Sequence, residues 1–179
     1  MRTLLTILVF ISAGLSSFAQ LSELHLKNAL VVGQLDKPED RYTIEINLTE
    51  MLTNAGIKAV PSLNMMKLGS DASLLATDSI QRLVSSKGID TYVIVSVRGF
   101  DRRFKPSIRK DDLNTALGAG SLFPIYREEV VSVSFEFLFY RNGQFVASDI
   151  VKCGNVSERD TVIKRFRKKV AKRIVKKWK

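Results

Sequence analysis

The chain has 179 residues, with 28 basic and 18 acidic side chains, a net charge of +10, one cysteine and one histidine. A lone cysteine excludes an internal disulfide framework, and a lone histidine leaves little material for a Ser/His/Asp triad or a zinc site. The charge is concentrated: residues 164–179 hold ten basic residues and no acidic one, so everything upstream is balanced.

Such a basic excess would ordinarily suggest nucleic acid, but the amino terminus argues against that partner. Met1-Arg2 precedes the apolar run Leu4 to Ile11, and Ser16-Ser17-Phe18-Ala19-Gln20 places small residues at the cleavage positions. This pattern predicts a signal peptide over 1–19, cut after Ala19. The apolar run is too short for a bilayer core of ~30 Å, which needs ~20 residues. The expected product is one exported α/β domain over 20–179, periplasmic first, with outer-membrane association or secretion as further destinations. For such a chain the candidate anions are a membrane surface, lipopolysaccharide or a wall polymer. No cysteine near the cleavage site offers itself for acylation.

In chain order, Asn28-Ala29-Leu30-Val31-Val32-Gly33 reads as a strand buried on both faces. Asp36 as cap, Pro38 and Glu39 open a helix whose apolar positions Ile44, Leu48, Met51, Leu52 and Ala55 recur at helical spacing, and Gly56 stops it. Ile57 to Val60 forms a strand ended by Pro61. The grammar then repeats. A helix over 70–87 places Ala76, Ile80, Leu83 and Val84 on one face, Gly88 ends it, and Ile89 to Val97 is the most β-branched run of the chain. Two successive βα units imply parallel neighbours with right-handed crossovers.

Periodicity then lapses over a connection at about 100–128, several times the usual loop length, with one short helix at Asp111 to Leu117. Val131, Val133, Phe135, Phe137 and Phe139 alternate with more polar positions as a strand. Asn142-Gly143 is a two-residue hairpin turn leading into Phe145 to Cys153. The last helix opens at Ser157 with Asp160 as a capping box. It carries Val162, Ile163, Phe166, Val170, Ile174 and Trp178 on one side and Arg165, Lys168, Lys172 and Lys176 on the other. The predicted fold is a mixed sheet of about five strands in the order β-α-β-α-β-β-β-α, with helices packed on it.

This order, with Lys87-Gly88-Ile89-Asp90 leading into Tyr92-Val93-Ile94-Val95 and a closing hairpin and helix, resembles the periplasmic α/β domains of the TolB amino-terminal, LpoB and CsgG type. The resemblance implies a binding or scaffolding module of the cell envelope without catalytic residues. Its lipoprotein members carry a lipobox cysteine that this chain lacks.

His25, between Leu24 and Leu26, reads as structural or solvated. Cys153 reads as a small buried residue on a strand. Gly118-Ala119-Gly120-Ser121 fits neither a phosphate-binding loop nor a nucleophile elbow and reads as a turn. A regular two-residue hairpin would set Glu136 directly opposite Asp149, a pair able to bind a hard cation, to raise one carboxyl for acid work or to accept a bridging arginine. The long connection interleaves Arg98, Arg102, Arg103, Lys105, Arg109 and Lys110 with Phe100 and Phe104. It also leaves the carboxyl end of a parallel strand, where ligand sites gather.

Three readings follow. The first is a non-enzymatic envelope domain that binds another envelope protein through Arg102, Arg103, Lys105 and Arg109, with Phe104 as an apolar anchor and the last helix contributing Lys168 and Lys172. The second is a small hydrolase or transferase built on Glu136 and Asp149. The third is a binder of anionic membrane or wall polymer through the last helix. None of the three calls for a cofactor or metal, and nucleic acid is not expected.

Overall fold

A computed structural model describes residues 24–66, 70–108, 111–119 and 122–179. The predicted signal peptide, Arg109, Lys110, Gly120 and Ser121 lie outside them. Five strands form one mixed sheet: β1 (Asn28–Gln34), β2 (Lys58–Pro61), β3 (Thr91–Phe100), β4 (Ser132–Arg141) and β5 (Gln144–Gly154), in the spatial order β2-β1-β3-β4-β5. β1 pairs in parallel with β2 and β3, as the two βα units require, and β3, β4 and β5 are antiparallel neighbours.

Four helices cover the sheet: α1 (Pro38–Asn54), α2 (Asp78–Ser86), α3 (Leu113–Gly118) and α4 (Arg159–Arg173), the last running on as a π turn Ile174–Trp178. α1 and α4 share one face with Val31, Val93, Val95, Phe135, Phe137 and Phe139, while Val84 of α2 and Leu113 and Leu117 of α3 meet Leu30, Val32, Ile94 and Leu138 on the other. The strict alternation of β4 therefore divides a phenylalanine row from a second, smaller core.

Turn chemistry follows the sequence closely. Gly56 and Gly88 adopt φ of +81° and +70°, and Ile57 N–H and Ile89 N–H return to the carbonyls of Leu52 and Val84, closing both helices with the left-handed cap. Asn142 and Gly143 both take positive φ, the backbone of a primed hairpin turn.

The helix starts depart from expectation. Residue Lys37, not Asp36, sits at the cap of α1, without a side-chain bond, and Pro38 supplies the preset first turn. Glu158, not Ser157, precedes α4, and the Ser157 carbonyl accepts from the Tyr126 hydroxyl at 2.6 Å. The helix expected over 70–87 is broken: Asp71 caps a 3-10 turn at Ala72–Ala76, Thr77 is extended, and α2 starts afresh. Of its expected apolar face Val84 is buried, whereas Leu83 points to solvent.

Candidate functional site

α4 lies against the sheet through Val162, Phe166, Val170, Ile174 and Trp178, all fully buried. The Phe166 ring meets Phe135 at 4.8 Å and Phe137 at 6.1 Å between centroids, and Trp178 meets Phe137 and Phe139 at 4.8 and 5.1 Å. That commitment turns the basic side of the helix outward. Arg159 reaches Asp40 of α1 at 2.7 Å, and Arg167 holds Glu50 in a two-pronged pair at 2.7 and 3.0 Å, keeping that carboxyl below its ordinary range.

Arg173 contacts Asp149 of β5 at 3.0 Å. Asp149 also accepts from Trp178 Nε1 at 2.9 Å and from the Ile150 N–H at 2.8 Å. Burial nevertheless pushes its carboxyl up, outweighing these donors and the Arg173 charge. Of the ten basic residues in 164–179, Arg167 and Arg173 are ion-paired and the other eight carry no ion pair among the described residues. Lys168 and Lys172 are both exposed on this surface. A groove of about 270 Å³ runs between α4 and β5, lined by Val151, Lys152, Lys169, Lys172, Arg173 and Lys176.

The basic connection is placed differently. Asp101, at φ +50°, accepts the N–H groups of Val131 and Ser132 at 3.1 and 2.7 Å and so ties the segment to the start of β4. Farther on, the Ser107 N–H donates to Glu136 at 3.1 Å and its carbonyl accepts from Ser148 Oγ at 2.6 Å. The segment is thus pinned across the sheet face opposite α4. Arg102, Arg103 and Lys105 remain exposed. Phe104 is half-buried against the backbone of Gly99, where a Cβ would come within 2.6 Å of its ring.

The expected carboxylate pair does not form. Val146 is an extra residue in β5, because Phe139 pairs with Ala147 and Tyr140 with Phe145, and this bulge slips the register by one. Glu136 then pairs with Ile150, and Asp149 with Phe137. A one-residue slip in a strand exchanges faces. Glu136 faces Ser107 and lies 3.9 Å from Arg98, while Asp149 faces Trp178 and Arg173 across the sheet. The acid/base or metal chemistry that needed both carboxylates in one place has no site.

A buried polar cluster escaped the sequence reading. Glu45 is fully buried and accepts from Gly33 N–H at 2.8 Å, Arg41 Nε at 2.9 Å, Ser62 Oγ at 2.7 Å and Leu63 N–H at 3.2 Å. Arg41 extends to the Ser70 carbonyl at 2.7 Å. Gly33 has no side chain because α1 comes too close: a Cβ there would stand 3.1 Å from Arg41 Cγ. The cluster floors a cleft of about 300 Å³, edged by Gln34, Asp36, Asp71 and Leu122, at the carboxyl end of β1 where the crossovers diverge to opposite faces. The available signal was the opposite charges of Arg41 and Glu45, four residues apart beside Ile44 on the apolar face of a helix.

His25 is exposed, and Cys153 is buried with its thiol pushed up to about 12 by desolvation. Among the described residues no group of three or more His, Cys, Asp or Glu gathers as a metal site, and no helix is long and apolar enough to cross a membrane.

Fold and surface together define a mixed five-stranded α/β domain with a strongly basic outer helix. No protein-family model matches the chain, and no curated protein matches it. Among solved structures it is similar to a PelC dodecamer from Paraburkholderia phytofirmans, at 14% identity over 83% of this chain and 84% of that one, with a TM-score of 0.45. It is also similar to the lipoprotein GNA1162 from Neisseria meningitidis, at 14% identity over 83% of this chain and 97% of that one, again with a TM-score of 0.45.

Proposed function

We propose that the chain is an exported, non-catalytic binding domain of the cell envelope that holds an anionic partner on the solvent face of α4. The observation that carries this reading is that seven basic residues of α4 and its π turn, between Lys164 and Lys177, have no ion pair among the described residues, on a helix whose apolar side is already spent in the core. A helix lying in a membrane interface needs its apolar face free. Contact is therefore by charge at the surface and is salt-sensitive. The leader at 1–19 supports export, and the order of elements, which resembles the TolB amino-terminal, LpoB and CsgG type, supports a binding role.

The basic connection is the second surface, with Arg102, Arg103 and Lys105 offering charge on the other sheet face beside the half-buried Phe104. Sedimentation with anionic vesicles and with isolated wall polymer separates the two surfaces. Lys168→Glu with Lys172→Glu abolishes binding and leaves stability within ~0.5 kcal/mol, as exposed substitutions do. Loss of binding on replacing Arg102, Arg103 and Lys105 by serine, with the α4 variant unaffected, transfers the function to the connection. N-terminal sequencing of the envelope fraction should begin at Gln20, and intact Met1 in the cytoplasm would remove the compartment on which the reading stands.

A further inference from the structure

The cleft at the carboxyl end of β1 runs against the charge of the molecule that holds it. The chain carries a net +10, yet the ionisable side chains on the rim, Asp36 and Asp71, are both acidic and exposed. Neither has an ion pair among the described residues. Asp71 Oδ1 accepts the Ser73 N–H at 2.8 Å, and that bond holds its carboxyl below the ordinary range. The floor does not offset these charges. Arg41 and Glu45 close on each other at 2.9 Å, and the other guanidinium nitrogens donate to the Ser70 carbonyl and to Ser62 Oγ. The amino end of α1 at Pro38 contributes roughly half a positive charge, against two whole negative ones.

Gln34 points to an occupant independently. It is 8% exposed, and its Nε2 donates to the carbonyls of Ala116 and Leu117 at 2.9 and 3.0 Å. Two carbonyl acceptors fix which prong of the amide is nitrogen, so the other prong is the oxygen. Oε1 has no partner among the described residues, and it is not sealed into the protein as the hydroxyls of Thr49 and Tyr92 are. Because Gln34 lines the cleft, that oxygen gains from a donor brought by an occupant. The free polar groups are thus acceptors, Gln34 Oε1 within and two carboxylates at the rim, with the Ser70 hydroxyl able to serve either way. Leu117, buried, and Leu122, exposed, make part of the wall apolar. At about 300 Å³ the space stands at the small end of ligand sites.

We propose that this cleft binds a small aliphatic primary amine, its ammonium group among Gln34 Oε1, Asp36 and Asp71 and its carbon chain against Leu117 and Leu122. An ammonium carries three donors and no acceptor, the complement of the groups the cleft leaves free. The site is separate from the basic face of α4, so it stands or falls without the anionic-partner reading.

The test is titration of the purified chain with cadaverine, followed by calorimetry and by NMR, with glutarate and pentanediol as the anionic and neutral compounds of the same carbon length. Saturable binding of cadaverine that weakens with salt is expected, with a shift of the Gln34 side-chain NH2 resonances and no binding of the other two. Asp36→Asn with Asp71→Asn lowers the affinity about tenfold or more. Asparagine keeps the cap on Ser73, so this variant removes charge and preserves the turn. Glu128→Gln with Asp160→Asn, the same loss of charge at exposed positions outside the cleft, changes the affinity less than about twofold. Equal losses in the two variants overturn the cleft as the site, as does binding that leaves the Gln34 resonances unmoved. Glutarate bound as tightly as cadaverine shows that Arg41 governs the cleft and overturns the amine. Absence of saturable cadaverine binding overturns the proposal outright.

Discussion

Replacing Glu45 by methionine tests the buried cluster beneath the β1 cleft most directly. The side chain keeps its approximate volume, so packing against Gly33 and Arg41 is preserved, but four donors lose their acceptor: Gly33 N–H, Arg41 Nε, Ser62 Oγ and Leu63 N–H. The largest single loss is the guanidinium of Arg41, whose side chain is 8% exposed and which is left without its counter-charge. Removing one partner of a buried pair costs ~3–5 kcal/mol. For a chain of this size each kcal/mol shifts the melting temperature by ~2–4 °C, so a fall of ~6–20 °C is expected by differential scanning calorimetry. Arg41→Met in the same background removes the stranded charge and should return part of the loss, leaving mainly the two backbone N–H groups at ~1–3 kcal/mol each. A single variant that melts within ~2 °C of the parent, or a double variant less stable than the single, would refute the account of Glu45 as the ion that fastens α1 to β1.

Three further outcomes follow from the core and the titrating groups. Phe166→Asp puts a charge between Phe135 and Phe137 and should unfold the domain or cost at least the ~3–5 kcal/mol of an emptied aromatic site; an unmoved transition with lost vesicle binding would instead make α4 a membrane-lying element. Asp149 has a folded-state pKa raised above its ordinary 3.8, so its titration favours the fold below that value and the benefit is lost as pH rises through the raised pKa; the stability of the parent minus that of Asp149→Asn should decline over that interval, and a difference that grows with pH contradicts the assignment. Cys153, buried with its thiol pushed up to about 12, should resist alkylation at pH 8 until denaturant is added, and rapid modification of the native chain would show that strand β5 opens.

Local signals carried much of the fold. Gly56, Gly88 and the Asn142-Gly143 turn require left-handed backbone that few residues supply, and the phenylalanine alternation of β4 admits one orientation, so their positions were legible residue by residue. The bulge at Val146 was not. Nothing in Phe145-Val146-Ala147 distinguishes a bulged residue from a paired one, because the extra residue is set by how β5 fits the twist of the sheet. That one insertion carried Glu136 and Asp149 to opposite faces. The helix caps failed for a related reason: Asp36 and Ser157 are suitable residue types, but the chain reaches each helix from a direction fixed by tertiary contacts of Asp36 with Phe123 and of Ser157 with Tyr126. The basic side of α4 could be read from spacing alone, whereas its groove depends on Lys152, brought alongside by the sheet.

The late position of α4 sets an order of events for a chain that emerges amino terminus first. The hairpin of β4 and β5 is complete by Gly154, yet its Phe135, Phe137 and Phe139 rings stay bare on one side until Phe166 and Trp178 arrive. During that interval the segment Val133 to Tyr140 is a β-prone, weakly charged stretch of the kind that self-associates, and the outer edge of β5 still lacks Lys169 and Arg173. Docking of one helix therefore ends both hazards at once, and a chaperone that shields this protein has its work to do between synthesis of the hairpin and arrival of the basic helix.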